Sequence, residues 1–174
     1  MIKTKVKLYN LGSWKILRLP KDASAKLPSR GMVMIEGTIN EIKIKTTLEP
    51  DGDGSHWFKV DETLLKSIKA NAGHRVTLTI TPTKEWTEPP VPSDLKTALT
   101  ATPQAYKIWN DITPMARWDW IRWIRATKNA ETRKKRITIA CSKLKSGMRR
   151  PCCFDRSQCT EPYISDKGVL RESN

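Results

Sequence analysis

The sequence has very little histidine and no long apolar stretch. Only His56 and His74 occur in 174 residues, and both stand beside turn signals, where we expect them at the surface. No segment reaches the roughly 18 apolar residues that a helix needs to cross a bilayer. The N-terminus, Met1-Ile2-Lys3-Thr4-Lys5, alternates charged and apolar residues like a strand and lacks the continuous apolar region of a signal peptide. We therefore expect a cytoplasmic protein with no membrane span.

The sequence also lacks the motifs that usually carry catalysis. It contains no Gly-x-Ser-x-Gly elbow, no P-loop, no dinucleotide fingerprint and no His-Glu-x-x-His. Two isolated histidines leave little general-base chemistry. The sequence thus indicates a binding or protection protein more than an enzyme, and it implies no cofactor.

Cysteine is absent from the first 140 residues. Cys141, Cys152, Cys153 and Cys159 are expected to be reduced thiols and cannot form a framework for the whole fold. Adjacent cysteines suit tetrahedral metal chelation poorly, and paired Cys-x-x-Cys spacing is missing, so no metal ligands are assigned. Because Cys152 and Cys153 follow Arg149-Arg150, a lowered thiol pKa is plausible. Thiol-based redox or metal-binding chemistry through this pair remains an alternative.

Acidic residues are few relative to basic ones. The net charge is +14, from 32 basic and 18 acidic residues. Residues 1–92 carry +5 and residues 93–174 carry +9. Such an excess favours anionic partners such as nucleic acid, anionic lipid or an acidic protein, although a solubilising surface would have the same composition.

Residues 1–82 contain a weak internal repeat at a spacing of about 42 residues. Each copy runs strand, short helical turn, glycine, strand, and the alternation in residues 15–19 and 76–80 is typical of half-buried strands. Gly31 and Gly73 follow the helical turns, where a left-handed backbone is favoured. Two such copies can close a small barrel about a pseudo-two-fold axis. The unit resembles that of AbrB/MazE-type double-split barrels, which form from two chains.

The segment Asp51-Gly52-Asp53-Gly54 separates the two copies. It lacks the later ligand positions and the closing glutamate of a calcium loop, so a tight hairpin is the favoured interpretation. Residues 83–92 are rich in proline and predict an extended linker.

Helix signals dominate after the linker. Ser93, and the pairs Thr102-Pro103 and Thr113-Pro114, predict helix starts. We expect helices near 94–100, 103–110 and 114–127, and a fourth from about Asn129 to Lys145 that ends at Gly147. The predicted class is α+β, divided into a duplicated barrel over 1–82, a linker over 83–92, a basic tryptophan-rich helical domain over 93–150 and a cysteine-containing tail over 151–174.

The helical part concentrates positive charge and tryptophan. Twelve basic residues and two acids lie between Arg117 and Arg150. The spacing of Trp120 and Trp123 favours burial in a core. Arginine forks can bind phosphate or carboxylate and indoles can hold guanidinium groups, so an anion site and a solvated face are both open. The candidate ligand-binding residues, expected to line a groove between barrel and helices, are Trp86, Trp118, Arg122, Arg125, Arg133 and Arg136.

Several segments resemble a known family. They are Pro28-Ser29-Arg30-Gly31, Leu48-Glu49-Pro50-Asp51-Gly52, residues 119–124, residues 131–137 and residues 149–155. Over roughly residues 10–155 the chain resembles the YdeI/OmpD-associated, or bacteriocin-protection, family, preceded by a small domain of unknown function. The tail after Asp155 extends beyond the usual end of that pattern. The resemblance implies protection against a bacteriocin or similar toxic agent, as a form of stress resistance.

The leading hypothesis is therefore a cytoplasmic binding protein that holds an anionic ligand or a toxic peptide. The first alternative is a nucleic-acid-binding protein that uses the basic helices. The second is the thiol protein that uses Cys152 and Cys153.

Overall fold

The computed structural model describes residues 1–171, so the last three residues of the predicted tail lie outside the described part. The chain divides into two compact units. The barrel unit comprises residues 1–85, 156–159 and the described residues from 164 onward, and the helical unit comprises residues 86–155 and 160–163.

Six strands form a closed barrel in the first unit. They are β1 (Ile2–Leu11), β2 (Trp14–Arg18), β3 (Val33–Ile39), β4 (Ile42–Pro50), β5 (His56–Val60) and β6 (Arg75–Pro82), with short helices α1 (Lys21–Ser24) and α2 (Glu62–Ile68). All pairings are antiparallel, and the strand order around the barrel is β1-β2-β5-β4-β3-β6.

The barrel consists of two equivalent halves. Its strand order is unchanged when β1 is exchanged with β4, β2 with β5 and β3 with β6. The pair Tyr9–Ile16 in one half then corresponds to Glu49–Trp57 in the other, an offset of 40 or 41 residues. This topology confirms the pseudo-duplicated, double-split barrel predicted from the repeat.

Alternating side chains from both halves fill the barrel core. Leu8, Leu17, Ile35 and Leu78 are among its fully enclosed members. Gly37 is required where β3 crosses β6, because a Cβ there would collide with the Thr79 carbonyl oxygen.

The two predicted glycine reversals have different outcomes. Gly73 has a φ of 90° and lies in the left-handed region, as predicted. The expectation for Gly31 was wrong, since its φ is not positive. Instead α1 ends at Ala25 in a right-handed conformation, while α2 is terminated by Lys69 with a φ of 51°.

The tail of the chain adds a small hairpin to the barrel unit. Its strands are β7 (Ser165–Asp166) and β8 (Val169–Leu170). The Leu170 amide donates to the Asp51 carbonyl at 2.7 Å. Leu170 and the buried thiol Cys159 pack with Trp57 in a satellite core on the outside of the barrel. Part of the predicted cysteine-containing tail therefore belongs to the structure of the first module.

The second unit contains four helices in its described part: α3 (Ser93–Thr100), α4 (Pro103–Asp111), α5 (Pro114–Arg125) and α6 (Ala130–Lys145). Each lies within two residues of its predicted bounds. Thr113 and Asn129 cap α5 and α6 by accepting backbone hydrogen bonds. Gly147, with a φ of 93°, follows α6 and donates to the Leu144 carbonyl at 2.9 Å, as its predicted terminating role requires.

One apolar core joins these helices. Leu95, Leu99, Trp109, Trp120 and Leu144 are buried in it. None of the helices within residues 1–171 is both long and apolar enough to cross a membrane.

Candidate functional site

The six predicted ligand-binding residues all lie in the helical unit. Trp86 precedes α3 and is half-buried. Trp118, Arg122 and Arg125 lie on one face of α5, because they are four and three residues apart. Arg133 and Arg136 lie on α6.

Arg122 is a core residue. Its side chain is fully buried, and its guanidinium carbon lies 5.3 Å from the centre of the Phe154 ring. Its Nε also lies 3.4 Å from the hydroxyl oxygen of Thr160. A solvated face, one of the two interpretations left open for these arginines, is therefore wrong at Arg122, because Phe154 and Thr160 lie against its side chain.

Arg125 is held from the same segment. It donates to the Thr160 hydroxyl from Nε at 3.2 Å and pairs with Glu161 at 2.8 Å. Both partners of this ion pair are largely buried, with 18% of each side chain exposed. The hydrogen-bond and ion-pair partners of Arg125 therefore come from the segment around Thr160, which is distant from α5 in the sequence.

The two predicted arginines of α6 also have partners inside the module. Arg133 forms a fork with Asp94, with distances of 2.7 and 3.0 Å. The hydrogen bond from Arg133 lowers the pKa of Asp94, while partial burial opposes that shift. Arg136 donates to the Trp123 carbonyl at 2.7 Å and lies over the Trp123 ring. These two side chains join α6 to the helices before it.

Three further arginines also lie beside carboxylates of the helical unit. Arg149 pairs with Asp111 at 2.8 Å, and Arg150 lies 3.3 Å from the buried Asp119 carboxylate. Arg117 pairs with Glu88 at 2.6 Å. The cations of the helical unit that form neither an ion pair nor a side-chain hydrogen bond within the described residues are lysines, namely Lys96, Lys107, Lys128, Lys134, Lys135, Lys143 and Lys145.

The tryptophans of α5 have different environments. Trp120 is buried, and Trp123 packs against the same core with its ring edge-on at 6.1 Å. The prediction that these two indoles are packing residues is confirmed. Trp118 differs, because its indole nitrogen is buried without a hydrogen-bond partner in the described structure.

A groove between α3 and α4 is an open feature that the sequence did not indicate. Its volume is about 450 Å³. The buried residues Leu99 and Trp109 and the half-buried Val91 form its apolar floor. Its polar lining residues are Glu88, Lys96, Tyr106, Asn110 and Arg117.

The wall of this groove is held by Arg117. Its guanidinium donates to the carbonyl oxygens of Trp109 and Asn110 at 2.8 and 2.9 Å while it pairs with Glu88. Lys96 and Tyr106 remain exposed on the opposite sides. Helical spacing could have found part of this site, since Tyr106 lies three residues before Trp109 and Lys96 three before Leu99.

The adjacent thiols do not have the environment that was predicted for them. Cys152 and Cys153 are exposed. The hydrogen bond and charge of Cys152 raise the pKa of Cys153, whereas the preceding arginines were expected to lower it. Arg149 and Arg150 pair with Asp111 and Asp119. No cluster of three possible metal-ligating side chains occurs within residues 1–171.

A second polar cluster lies at one end of the barrel. His56 was expected at the surface, but it is fully buried. Its Nε2 donates to the Gly31 carbonyl at 2.7 Å, and its Nδ1 lies 2.7 Å from the Ser24 hydroxyl. Ser24 is also fully enclosed. This serine–histidine pair therefore fixes α1 to β5 in the described structure and does not present a nucleophile to a substrate.

Together these features define an α+β protein with a duplicated barrel and a helical module. Residues 88–147 match the sequence model of the family described as bacteriocin-protection, YdeI or OmpD-associated. Residues 3–80 match a domain of unknown function, DUF1905. Both parts of the predicted resemblance are confirmed by these matches. A comparison with curated proteins found no match.

Proposed function

We propose that this chain is a cytoplasmic binding protein that protects the cell by holding a bacteriocin or similar toxic peptide in the α3–α4 groove. The observation that carries the proposal is the position of the groove. All its lining residues fall within residues 88–147, the segment that matches the bacteriocin-protection family. A volume of about 450 Å³ is within the range of ligand sites and suits a few side chains of a peptide.

The chemistry of the groove supports a peptide with apolar and acidic side chains. The floor of Leu99, Trp109 and Val91 can bury apolar groups. Lys96 forms no ion pair within the described chain, so its ammonium can bind a carboxylate. Tyr106 and Asn110 add hydrogen-bonding groups at the rim. The ligand-binding roles of Trp86, Trp118, Arg122, Arg125, Arg133 and Arg136 remain predictions, and for the four arginines a ligand would compete with partners inside the module.

The test is survival of a sensitive bacterium that expresses the chain, challenged with a panel of purified bacteriocins. We expect protection against at least one of them, and loss of protection when Lys96→Glu is combined with Tyr106→Ala. Calorimetric titration of the purified chain with the same bacteriocin should show the same loss of affinity.

The matched control is Lys107→Glu combined with Tyr163→Ala. It makes the same chemical changes at exposed positions of the helical unit that do not line the groove. Equal protection by the two double variants, or no protection by the parent chain against any bacteriocin, would contradict the proposal.

The exposed lysines of the helical unit favour a second candidate, nucleic-acid binding. Lys134 and Lys135 on α6 offer unpaired positive charge to phosphates. The predicted arginine forks support this candidate less, since Arg133 and Arg136 are held by Asp94 and Trp123.

A further inference from the structure

The barrel is not hydrogen-bonded along all of its seams. β4 pairs with β3 from Ile42 to Leu48, but it pairs with β5 only at Glu49 and Pro50. Beyond that point, residues 58–60 of β5 pair with β2 on their other side. In the described structure, the backbone edge of β4 over residues 42–48 therefore has no strand partner on the β5 side. This edge is roughly 20 Å long at the usual rise of a strand.

A groove of about 370 Å³ lies along this edge, between β4, β5 and α2. Ile42, Ile44, Phe58 and Leu64 give it an apolar floor. Its polar and charged lining residues are Lys43, Lys45, Thr46, Lys59, Asp61, Thr63 and Ser67.

The other half of the barrel has the same split, since β1 pairs with β6 from Ile2 to Lys7 and with β2 only from Leu8 to Leu11, but its apolar side chains are covered. The strand pairings make Ile2 and Val6 of β1 equivalent to Ile42 and Thr46 of β4. Ile2 is 6% exposed and Val6 is 3% exposed, whereas Ile42 is 38% exposed and Thr46 is half-buried. Both halves therefore carry an unpaired strand edge, and β4 differs from β1 in that the side chains along its edge are accessible.

We infer that this groove binds an extended peptide segment, which adds to β4 as a further strand. Unpaired N–H and C=O groups on a strand edge are complementary to another peptide backbone. The alternating apolar side chains of such a guest would enter the floor beside Ile42 and Ile44. The remaining side chains of the guest would point outward. The charged residues of the barrel beside them determine whether acidic or basic side chains are favoured there.

Lysines flank the outward-facing side of the groove. Lys43 and Lys45 alternate with the inward-facing residues of β4. Lys59 stands on the outside of β5, with its ammonium 4.2 Å from the centre of the Trp14 ring. Lys43 forms no ion pair within residues 1–171, and the exposed pair between Lys45 and Glu85 can be exchanged at low cost. Asp61, the only acidic residue lining the groove, is engaged as the cap of α2. The outward side chains of the guest are therefore acidic.

The same charges argue against other occupants. A second copy of the chain would bring its own β4 lysines against this edge, and like charges on neighbouring strands repel. A nucleic acid would satisfy the lysines but has no peptide backbone to pair with the edge. A peptide that alternates acidic and apolar residues satisfies both features.

The probe is a fluorescein-labelled peptide of about eight residues in which glutamate and valine alternate, a length that matches the open edge. Binding to the full chain is measured by fluorescence anisotropy. We expect saturable binding that weakens about tenfold or more when Lys43→Glu is combined with Lys59→Glu. Hydrogen exchange of residues 42–48 should slow when the peptide is bound, because the edge amides gain acceptors.

The matched control is Lys3→Glu combined with Lys5→Glu. These lysines of β1 are the equivalents of Lys43 and Lys45 in the other half of the barrel, and they do not line the groove. The control should retain binding, and circular dichroism should show that both double variants are folded. A peptide methylated at alternate amide nitrogens should not bind.

Three results would overturn the inference: no saturable binding by the parent chain, equal losses in both double variants, or full binding of the methylated peptide. The helical groove is a separate site. The variant with Lys96→Glu and Tyr106→Ala should therefore bind this probe like the parent chain, whatever its effect on protection.

Discussion

Asp51 shows how a single residue in this protein can be enclosed and still charged. Burial by itself would raise the pKa of its carboxyl group, but three donors more than compensate, and the pKa is lowered below 3.8. The amides of Asp53 and Ser55 donate at 2.8 Å, and Arg18 pairs with it at 2.7 Å. The turn that joins β4 to β5 is thus organised around one carboxylate.

The variant Asp51→Asn should therefore be destabilised by about 2 kcal/mol at neutral pH, since the amide replaces a charged acceptor of three hydrogen bonds. A lowered pKa means that this contribution is complete above pH 3.8 and is lost as the pH falls through the lower pKa of the folded state. Urea denaturation of both proteins at pH 7 and near pH 3 should show the difference shrinking in acid. The control Asp53→Asn, at a carboxylate whose side chain is 56% exposed, should change stability by less than about 0.5 kcal/mol.

The residue environments that sequence inspection missed depend on distant partners. The burial of His56 is determined by Ser24 and Gly31, and that of Arg122 by Phe154 and Thr160. The turn signal beside His56 indicated a surface position, and the charge of Arg122 indicated a groove or a solvated face. No local pattern indicates which distant segment will cover a polar group.

At the scale of elements, two identical dipeptides begin neighbouring helices in different ways. Thr113 precedes Pro114 and accepts a hydrogen bond from the Ala116 amide at 3.2 Å. Thr102 precedes Pro103, but its side chain makes no capping hydrogen bond. Its ψ of 81° differs from the extended value of 156° at Thr113. The same sequence signal therefore has different energetic weight at the two helices.

We predict that Thr113→Ala lowers the free energy of unfolding by about 1 kcal/mol, because α5 loses its cap. Thr102→Ala removes the same side chain without removing a cap, so its effect should be only a few tenths of a kcal/mol. Chemical denaturation of the full chain, followed by circular dichroism at a helix wavelength, compares the two. Equal effects of both variants would show that the hydrogen bond at Thr113 is not what stabilises α5.

The positions of the strands and helices are the part of the fold that the sequence predicts best. Alternation gave the strands, Thr-Pro pairs gave the helix starts, and Gly147 gave the end of α6, because each signal is local. The hairpin of β7 and β8 was missed, since strands of two residues carry almost no periodicity. Both grooves were missed as well, because a groove depends on how neighbouring elements pack against each other, which no local pattern specifies.

Across the whole molecule, the two kinds of basic residue are used differently. In the helical unit, arginines such as Arg133 and Arg149 bind carboxylates of the same unit. Lysines such as Lys134 and Lys135 carry the exposed charge. Lysine is a flexible point charge, whereas arginine gives fork-like recognition, so the exposed surface favours phosphate attraction without base readout.

Any DNA binding by this chain should therefore be weak, independent of sequence and steeply dependent on salt. Lys134→Glu combined with Lys135→Glu should lower the slope of log affinity against log salt by about 2, one for each lost phosphate contact. Lys3→Glu combined with Lys5→Glu makes the same charge change on the barrel unit and should leave the slope unchanged. Absence of retention on both DNA and RNA even at low salt would eliminate nucleic-acid binding as a function.

The duplicated barrel also has a consequence for how this protein can evolve. In a barrel assembled from two identical chains, every substitution appears in both halves. A substitution that favours binding in one half is therefore also present in the other, where it can reduce stability. A single chain with both halves is free of that constraint. Ile2 can remain sealed to maintain the fold while Ile42, at the equivalent position, stays accessible. Inheritance of both halves in one gene therefore allows one to be selected for stability and the other for recognition.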